Sequence, residues 1–169
     1  PSHASSSELS MSFLNGYTCW LVSRKAAQGE IFFLRSRDYH FFLRLLKSTK
    51  TKYQIKIFGF CLLPNEFYLV LGLDLPAVLG IFVRELWQVY ATYRYDQQSP
   101  RAEYEILPQR DIKIRRDQDL FDAIKYIEFI PARIGLVDSP LRYPWSSCSY
   151  RVLGDASGLI DASVLAAKV

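Results

Sequence analysis

Along this chain the apolar residues keep switching between a period of two and a period of three to four, and the switches mark its elements. Asn15-Gly16 leads into Tyr17-Thr18-Cys19-Trp20-Leu21-Val22-Ser23, an aromatic and β-branched run that predicts a strand. Arg24 to Gly29 is a polar loop, and Glu30 to Leu34 predicts a short second strand. From Ser36 the period lengthens. Phe41, Phe42, Leu45 and Leu46 recur at helical spacing, with Ser36 as the expected N-cap, Asp38 in the first turn and an end near Lys50.

Two strand-like runs follow back to back, Gln54 to Leu62 and Glu66 to Leu73, joined by the turn Leu63-Pro64-Asn65. Asp74 then caps a long helix with Pro76 in its first turn, where a missing N–H does no harm. Val78, Leu79, Phe82, Val83, Leu86, Tyr90 and Tyr93 carry its apolar stripe to about Tyr95. A polar connection, Asp96 to Arg101, precedes a strand around Ile112 to Ile114. Asp117 or Asp119 opens a third helix, which Pro131 is expected to stop. The order β, α, β-β, α, β, α predicts the α+β class: a ferredoxin-like sandwich, its antiparallel sheet carrying helices mainly on one face. One domain is expected over 15–153, after a flexible tail at 1–14 and before a peripheral appendage at 154–169. The first residues show neither an initiator Met nor an apolar signal core, so Met11 is the residue expected nearest a native start.

Composition narrows the picture without deciding it. Half of the 169 residues are hydrophobic, enough for one domain with its own core. Aromatics make up 15%, too many for a disordered chain. No apolar run reaches the roughly eighteen residues that a membrane span needs. Three widely spaced cysteines, Cys19, Cys61 and Cys148, show no metal-ligand spacing and fit a reducing cytoplasm, with Cys19 and Cys61 in apolar runs as free core thiols. The chain has only two histidines, one of them His3 in the tail, which excludes a His-rich zinc site. A net charge of +4 is compatible with nucleic acid but not diagnostic of it.

The chemistry is carried by three short runs. Leu63-Pro64-Asn65-Glu66-Phe67-Tyr68 enters a strand on which Glu66 and Tyr68, two apart, share a face. It resembles the Leu/Met-Pro-Asn-His-hydrophobic-His segment of the REP-associated tyrosine transposases, single-tyrosine members of the HUH nuclease superfamily. Tyr126-Ile127-Glu128-Phe129-Ile130-Pro131-Ala132-Arg133-Ile134-Gly135-Leu136-Val137 is similar to that family's Tyr-Ile-Glu-Leu-Asn-Pro-Val-Arg-Ala-Gly-Leu-Val run. Tyr143-Pro144-Trp145-Ser146-Ser147 matches its Tyr-Pro-Trp-Ser-Ser. The resemblance spans Tyr17 to about Tyr150 and is weakest at Tyr17 to Leu34 and Arg101 to Arg110.

It implies a tyrosine on a helix that attacks single-stranded DNA near a hairpin, with a divalent metal at the scissile phosphate. A phenol titrating near pH ~10 needs help to become a nucleophile, and the phosphate needs its charge neutralised. By position the candidate nucleophile is Tyr126, although a tyrosine at the flank of an apolar helix face also serves as an ordinary anchor. The implied metal-ligand positions are Glu66, Tyr68 and Ile130. A carboxylate suits a hard cation, a neutral phenol suits it poorly, and an isoleucine is no ligand. No cofactor is therefore expected, or Mg²⁺ or Mn²⁺ should the chain be active. Glu66 is also a weak candidate base, or a carboxylate hydrogen-bonded to Tyr68 or a neighbouring Arg.

For DNA contact the candidates are Arg24, Lys25, Arg110, Lys113, Arg115 and Arg116, with Trp87 or Tyr95 available to stack on bases. Asp111, Asp117 and Asp119 dilute that charge. The implied partner is single-stranded or hairpin DNA, with a homodimer in some branches. The leading expectation is a transposase-like DNA-binding protein with an impaired catalytic centre. An active DNA-nicking transposase using Tyr126, and a ferredoxin-like interaction module without DNA, stay open.

Overall fold

A computed structural model describes residues 16–27, 29–97, 106–107 and 111–161. Its elements are β1 (Thr18–Ala26), α1 (Ser36–Tyr53), β2 (Lys56–Leu63), β3 (Glu66–Leu73) and α2 (Val78–Gln97). They continue with β4 (Ile106–Leu107), β5 (Ile112–Ile114), α3 (Asp117–Arg133), a 3-10 turn at Pro140–Arg142 and α4 (Ser147–Leu153). The sheet runs β2-β3-β1, with β4 and β5 both pairing β1 as one interrupted edge strand, and every pairing is antiparallel. This is the predicted α+β, ferredoxin-like architecture. Among the described residues, no helix is long and apolar enough to cross a membrane.

The pleat sends alternate residues to two separate cores. On one face Val22, Phe60, Phe67, Leu69 and Leu71 pack against Phe42, Leu46, Phe82, Leu86 and Tyr90 of α1 and α2. On the other, Cys19, Phe58, Cys61, Leu63 and Val70 pack against Leu120, Ile124, Ile127 and Ile130 of α3. The register of β2 against β3 shifts between Ile57 and Gly59. Gly72 leaves the room that the Phe58 ring fills, since a Cβ there would lie 2.6 Å from it. The two longest helices share a face, and the third covers the other.

Several expectations change. Arg24 to Ala26 end β1 and are not loop, and α2 begins at Val78, past Asp74 and Pro76. Glu30 to Leu34 is not a strand: Phe32 and Phe33 are buried with their N–H groups donated to the Pro64 carbonyl, so their apolarity serves the core and not a ladder. The N-cap of α1 is Arg35, and the Asp38 carboxylate accepts from the N–H groups of Leu34 and Arg35. Asp38 is itself buried, bonded by Arg94 at 3.0 Å and by the Tyr93 hydroxyl at 3.0 Å, which joins α1 to α2. Pro131 does not stop α3 but lies inside its last turn, at the cost of one i→i−4 hydrogen bond. The helix closes instead at Gly135 in the left-handed conformation, whose N–H donates to the Ala132 carbonyl. And the stretch after Leu153 is no peripheral appendage as far as Asp161: Leu159 and Ile160 are buried in the α1–α2 core. Asp161 accepts from the Ile57 N–H at 2.8 Å and pairs with Lys50.

The edge of β2 is closed by the 143–147 segment. Tyr143 donates its hydroxyl to the Leu62 carbonyl at 2.6 Å, Leu62 donates its N–H to the Trp145 carbonyl, and Cys61 bridges Ser146. Ser147 accepts from the Phe60 N–H at 3.0 Å and donates to the fully buried Glu128 at 2.8 Å. Arg151 of α4 completes the carboxylate's partners. Replacing Arg151 with Met should destabilise the fold by about 3 kcal/mol, because a carboxylate stays buried with one partner. Adding Glu128→Gln should return part of that loss, so the double variant is less destabilised than the two single changes summed. Denaturant unfolding of the four proteins measures it, and simple additivity would count against the pair as a unit.

Candidate functional site

Because Leu120, Ile124, Ile127 and Ile130 of α3 face the sheet, Tyr126 is turned outward and is 53% exposed. Beside it lies a groove of about 380 Å³ between α3 and β5, walled by Leu21, Ile112, Ile114, Arg115, Asp122 and Tyr126 itself. Glu66 and Tyr68 open β3. They have the parity of Val70, which is buried under α3, so both point to the α3 side of the sheet.

The fold thus gathers Glu66, Tyr68 and Tyr126 on one face. The Tyr68 phenol is held well above its ordinary range, first by burial and then by the Glu66 carboxylate, which stands beside it and is hydrogen-bonded to it. Tyr126 is near enough to add to that shift. Cys61 sits opposite Tyr68 in the ladder. Burial pushes its thiol up to about 12, Glu66 and Glu128 add to this, and Arg133 opposes it. Lys25 lies directly across from Glu66 on the same side.

These donors do not suit a divalent cation. Glu66 offers one carboxylate and already accepts from Tyr68. The phenol stays protonated, and a protonated oxygen is a weak ligand for a hard ion. Ile130 is 7% exposed and belongs to the apolar core. Among the described residues no three His, Cys, Asp or Glu side chains converge closely enough to hold a metal.

The basic residues singled out in the sequence do not form one patch. Arg24 makes a two-pronged pair with Asp111, at 2.6 and 3.2 Å. Arg116 is held by Asp119 at 2.9 and 3.0 Å. Lys113 lies opposite Trp20, so the pleat aims it towards the α1–α2 face. Arg115 faces the groove that Tyr126 lines, Lys113 also borders it, and Lys25 approaches the site from β1. Arg110 lies outside the described residues, as does the side chain of Tyr95. Trp87 is not an exposed platform but packs on Phe32 at 4.9 Å.

Sequence reasoning missed Arg133. Its guanidinium lies over the Tyr126 ring, 4.4 Å from the centroid, and donates to the Tyr126 carbonyl at 2.5 Å. The signal was available: seven residues on a helix bring a side chain back to the same face. The site is therefore an exposed tyrosine under a cation, beside a self-satisfied Glu66–Tyr68 pair.

No protein-family model and no curated protein matches the chain. Among solved structures it is similar to a REP-associated tyrosine transposase bound to a REP hairpin, with a TM-score of 0.67 and 17% identity over 82% of this chain and 80% of that one. The chain shares the fold of that transposase.

The buried thiols give a check on this packing. Cys19, like Cys61, is pushed up to about 12 by burial, so both stay protonated at about pH 8 and make poor nucleophiles. A thiol reagent should leave Cys19 and Cys61 unlabelled in the native protein and modify both on unfolding in guanidinium. Rapid native labelling of Cys61, read by peptide mapping, would contradict the closed face around Tyr68.

Proposed function

We propose that this chain is a transposase-like protein that binds single-stranded or hairpin DNA and has lost metal-dependent strand cleavage. The observation that carries the reading is the α3 site. It keeps an exposed tyrosine in a groove at the position the resemblance assigns to the nucleophile, while Glu66, Tyr68 and Ile130 stand at the ligand positions and satisfy one another or the core. The DNA part of the reading is supported by the shared fold with a transposase bound to a DNA hairpin.

Binding in this reading uses the groove beside Tyr126, with Arg115, Lys25 and Arg133 as cations and the tyrosine ring as a surface for an unpaired base. Glu66 works against it, since a carboxylate repels a phosphate. Hence Glu66→Gln should tighten binding of a hairpin with single-stranded flanks by about fivefold, the effect of roughly 1 kcal/mol of relieved repulsion. Tyr126→Phe should leave affinity nearly unchanged. Fluorescence anisotropy at low salt measures both.

The loss of cleavage is tested separately. Incubated with the same oligonucleotide and Mn²⁺ or Mg²⁺, the protein should form no covalent protein–DNA adduct on a denaturing gel. An adduct that disappears in Tyr126→Phe would establish an active nuclease and overturn the impaired reading. Absence of binding to any oligonucleotide would leave a ferredoxin-like interaction module.

A further inference from the structure

Helix α1 carries a second surface, remote in sequence from the α3 site and unused by it. Its apolar side, centred on Phe42 and Leu46, is buried against the sheet. The opposite side presents Arg37, His40, Arg44 and Lys47, all exposed, followed by Ser48 and Thr51, and no carboxylate. At 100° per residue these six positions fall within about a third of the helix circumference. The one acid of α1, Asp38, is buried against Arg94 on the other side. The two remaining lysines of the helix are engaged elsewhere, Lys50 with Asp161 and Lys52 with Glu85.

A solvated helix face ordinarily mixes the two signs, because opposite charges at i, i+3 and i+4 stabilise it and like charges oppose it. Here Arg44 has Arg37 seven residues before it and Lys47 three residues after it, with no acid to offset either. The helix bears that repulsion, and a polyanion relieves it. From Arg37 to Lys47 the row spans about 15 Å at 1.5 Å per residue. Along one DNA strand, with a phosphate about every 3.4 Å of axis, that length covers about four phosphates.

The face also shows what it is not built to read. It carries no exposed aromatic ring on which an unpaired base would stack: Tyr39 is buried against Trp145, and Phe41 stacks on Tyr93 at 3.8 Å. Cations without stacking platforms fit the regular backbone of a duplex, not a splayed single strand. We propose that Arg37, Arg44 and Lys47 of α1, with His40 between them, form a docking surface for the phosphate backbone of duplex DNA. This rests on the DNA-binding reading and assigns the double-stranded stem to α1, apart from the unpaired segment at the α3 groove.

The test compares wild type with Arg37→Ala/Arg44→Ala/Lys47→Ala on three labelled probes: a blunt duplex, a single strand of the same length and a hairpin with a single-stranded flank. The triple variant should lose about tenfold or more in duplex affinity near 0.1 M salt. Its slope of log affinity against log salt should fall by about 3, one for each phosphate contact removed. Single-strand affinity should hold. The variant should melt no lower than wild type, since only repulsion has been removed, and thermal unfolding monitors this. Arg37→Lys/Arg44→Lys should keep the wild-type slope, because charge and not fork geometry makes the contact. Wild-type duplex binding by the triple variant, with hairpin binding still sensitive to Arg115→Ala, would overturn the α1 surface and spare the α3 reading. Equal losses on single strand and duplex would overturn the assignment to duplex. Failure of the wild-type protein to bind any of the probes would overturn both.

Discussion

One buried carboxylate organises the α3 side of this molecule. Glu128 has no exposure to solvent, and a carboxylate taken from water without partners is costly enough to prevent folding. Ser147 and Arg151 supply the partners, and the same Ser147 hydroxyl accepts from the N–H of Phe60. Three elements, α3, α4 and the edge strand β2, therefore meet at one side chain. The constraint reaches further. Residues two apart on a helix lie about 200° apart around its axis, so burying Glu128 turns Tyr126 to the solvent. The exposure of the candidate tyrosine follows from where the acid goes.

The three sequence runs that carry the family resemblance divide the same way. Most of their residues build scaffold. Tyr143, Trp145, Ser146 and Ser147 cover the β2 edge, which would otherwise present unpaired backbone groups. Trp145 also stacks on Tyr39 at 4.5 Å and meets His40 edge-on, tying that cover to α1. Pro64 gives its carbonyl to Phe32 and Phe33 and so anchors the segment leading into α1. Motif residues of this kind report the fold. Only Glu66, Tyr68, Tyr126, Ile130 and Arg133 report the site.

Periodicity made most of the fold legible. The hairpin of β2 and β3, the strand at 112–114 and the long helices are written in local patterns of two and three to four. What was not legible depends on contacts between distant residues. Phe32 and Phe33 look like strand until the carbonyl of Pro64 is placed beside them. Leu159 and Ile160 look like tail until Asp161 finds Ile57 and Lys50. The basic run before α3 looked like a DNA patch because charge can be counted along a sequence and its neutralisation cannot. Arg24 and Asp111 are 87 residues apart, and the Arg116–Asp119 pair needs the helix to form first. The grouping of Glu66, Tyr68 and Tyr126 was foreseeable from the pleat and the resemblance. The arginine over the tyrosine ring was visible only as a helical repeat.

The three positions at which the resemblance implies metal ligands share one physical logic. An isoleucine at 130 adds an apolar side chain to the α3 core, a burial worth about 1.5–3 kcal/mol, where a polar ligand without its ion would be left wanting a partner. A protonated phenol at 68 gives Glu66 a donor in place of a cation. Arg133 sets a positive charge over the Tyr126 ring and satisfies the carbonyl beneath it. Each group thus has its valence met by a neighbour, and a fully satisfied polar cluster is rigid and specific. Among the described residues, a row of cations with no acid on its own helix face lies on α1, on the face of the sheet opposite the tyrosine, and under the proposed reading it adds to the attraction that Arg115, Lys25 and Arg133 offer a polyanion.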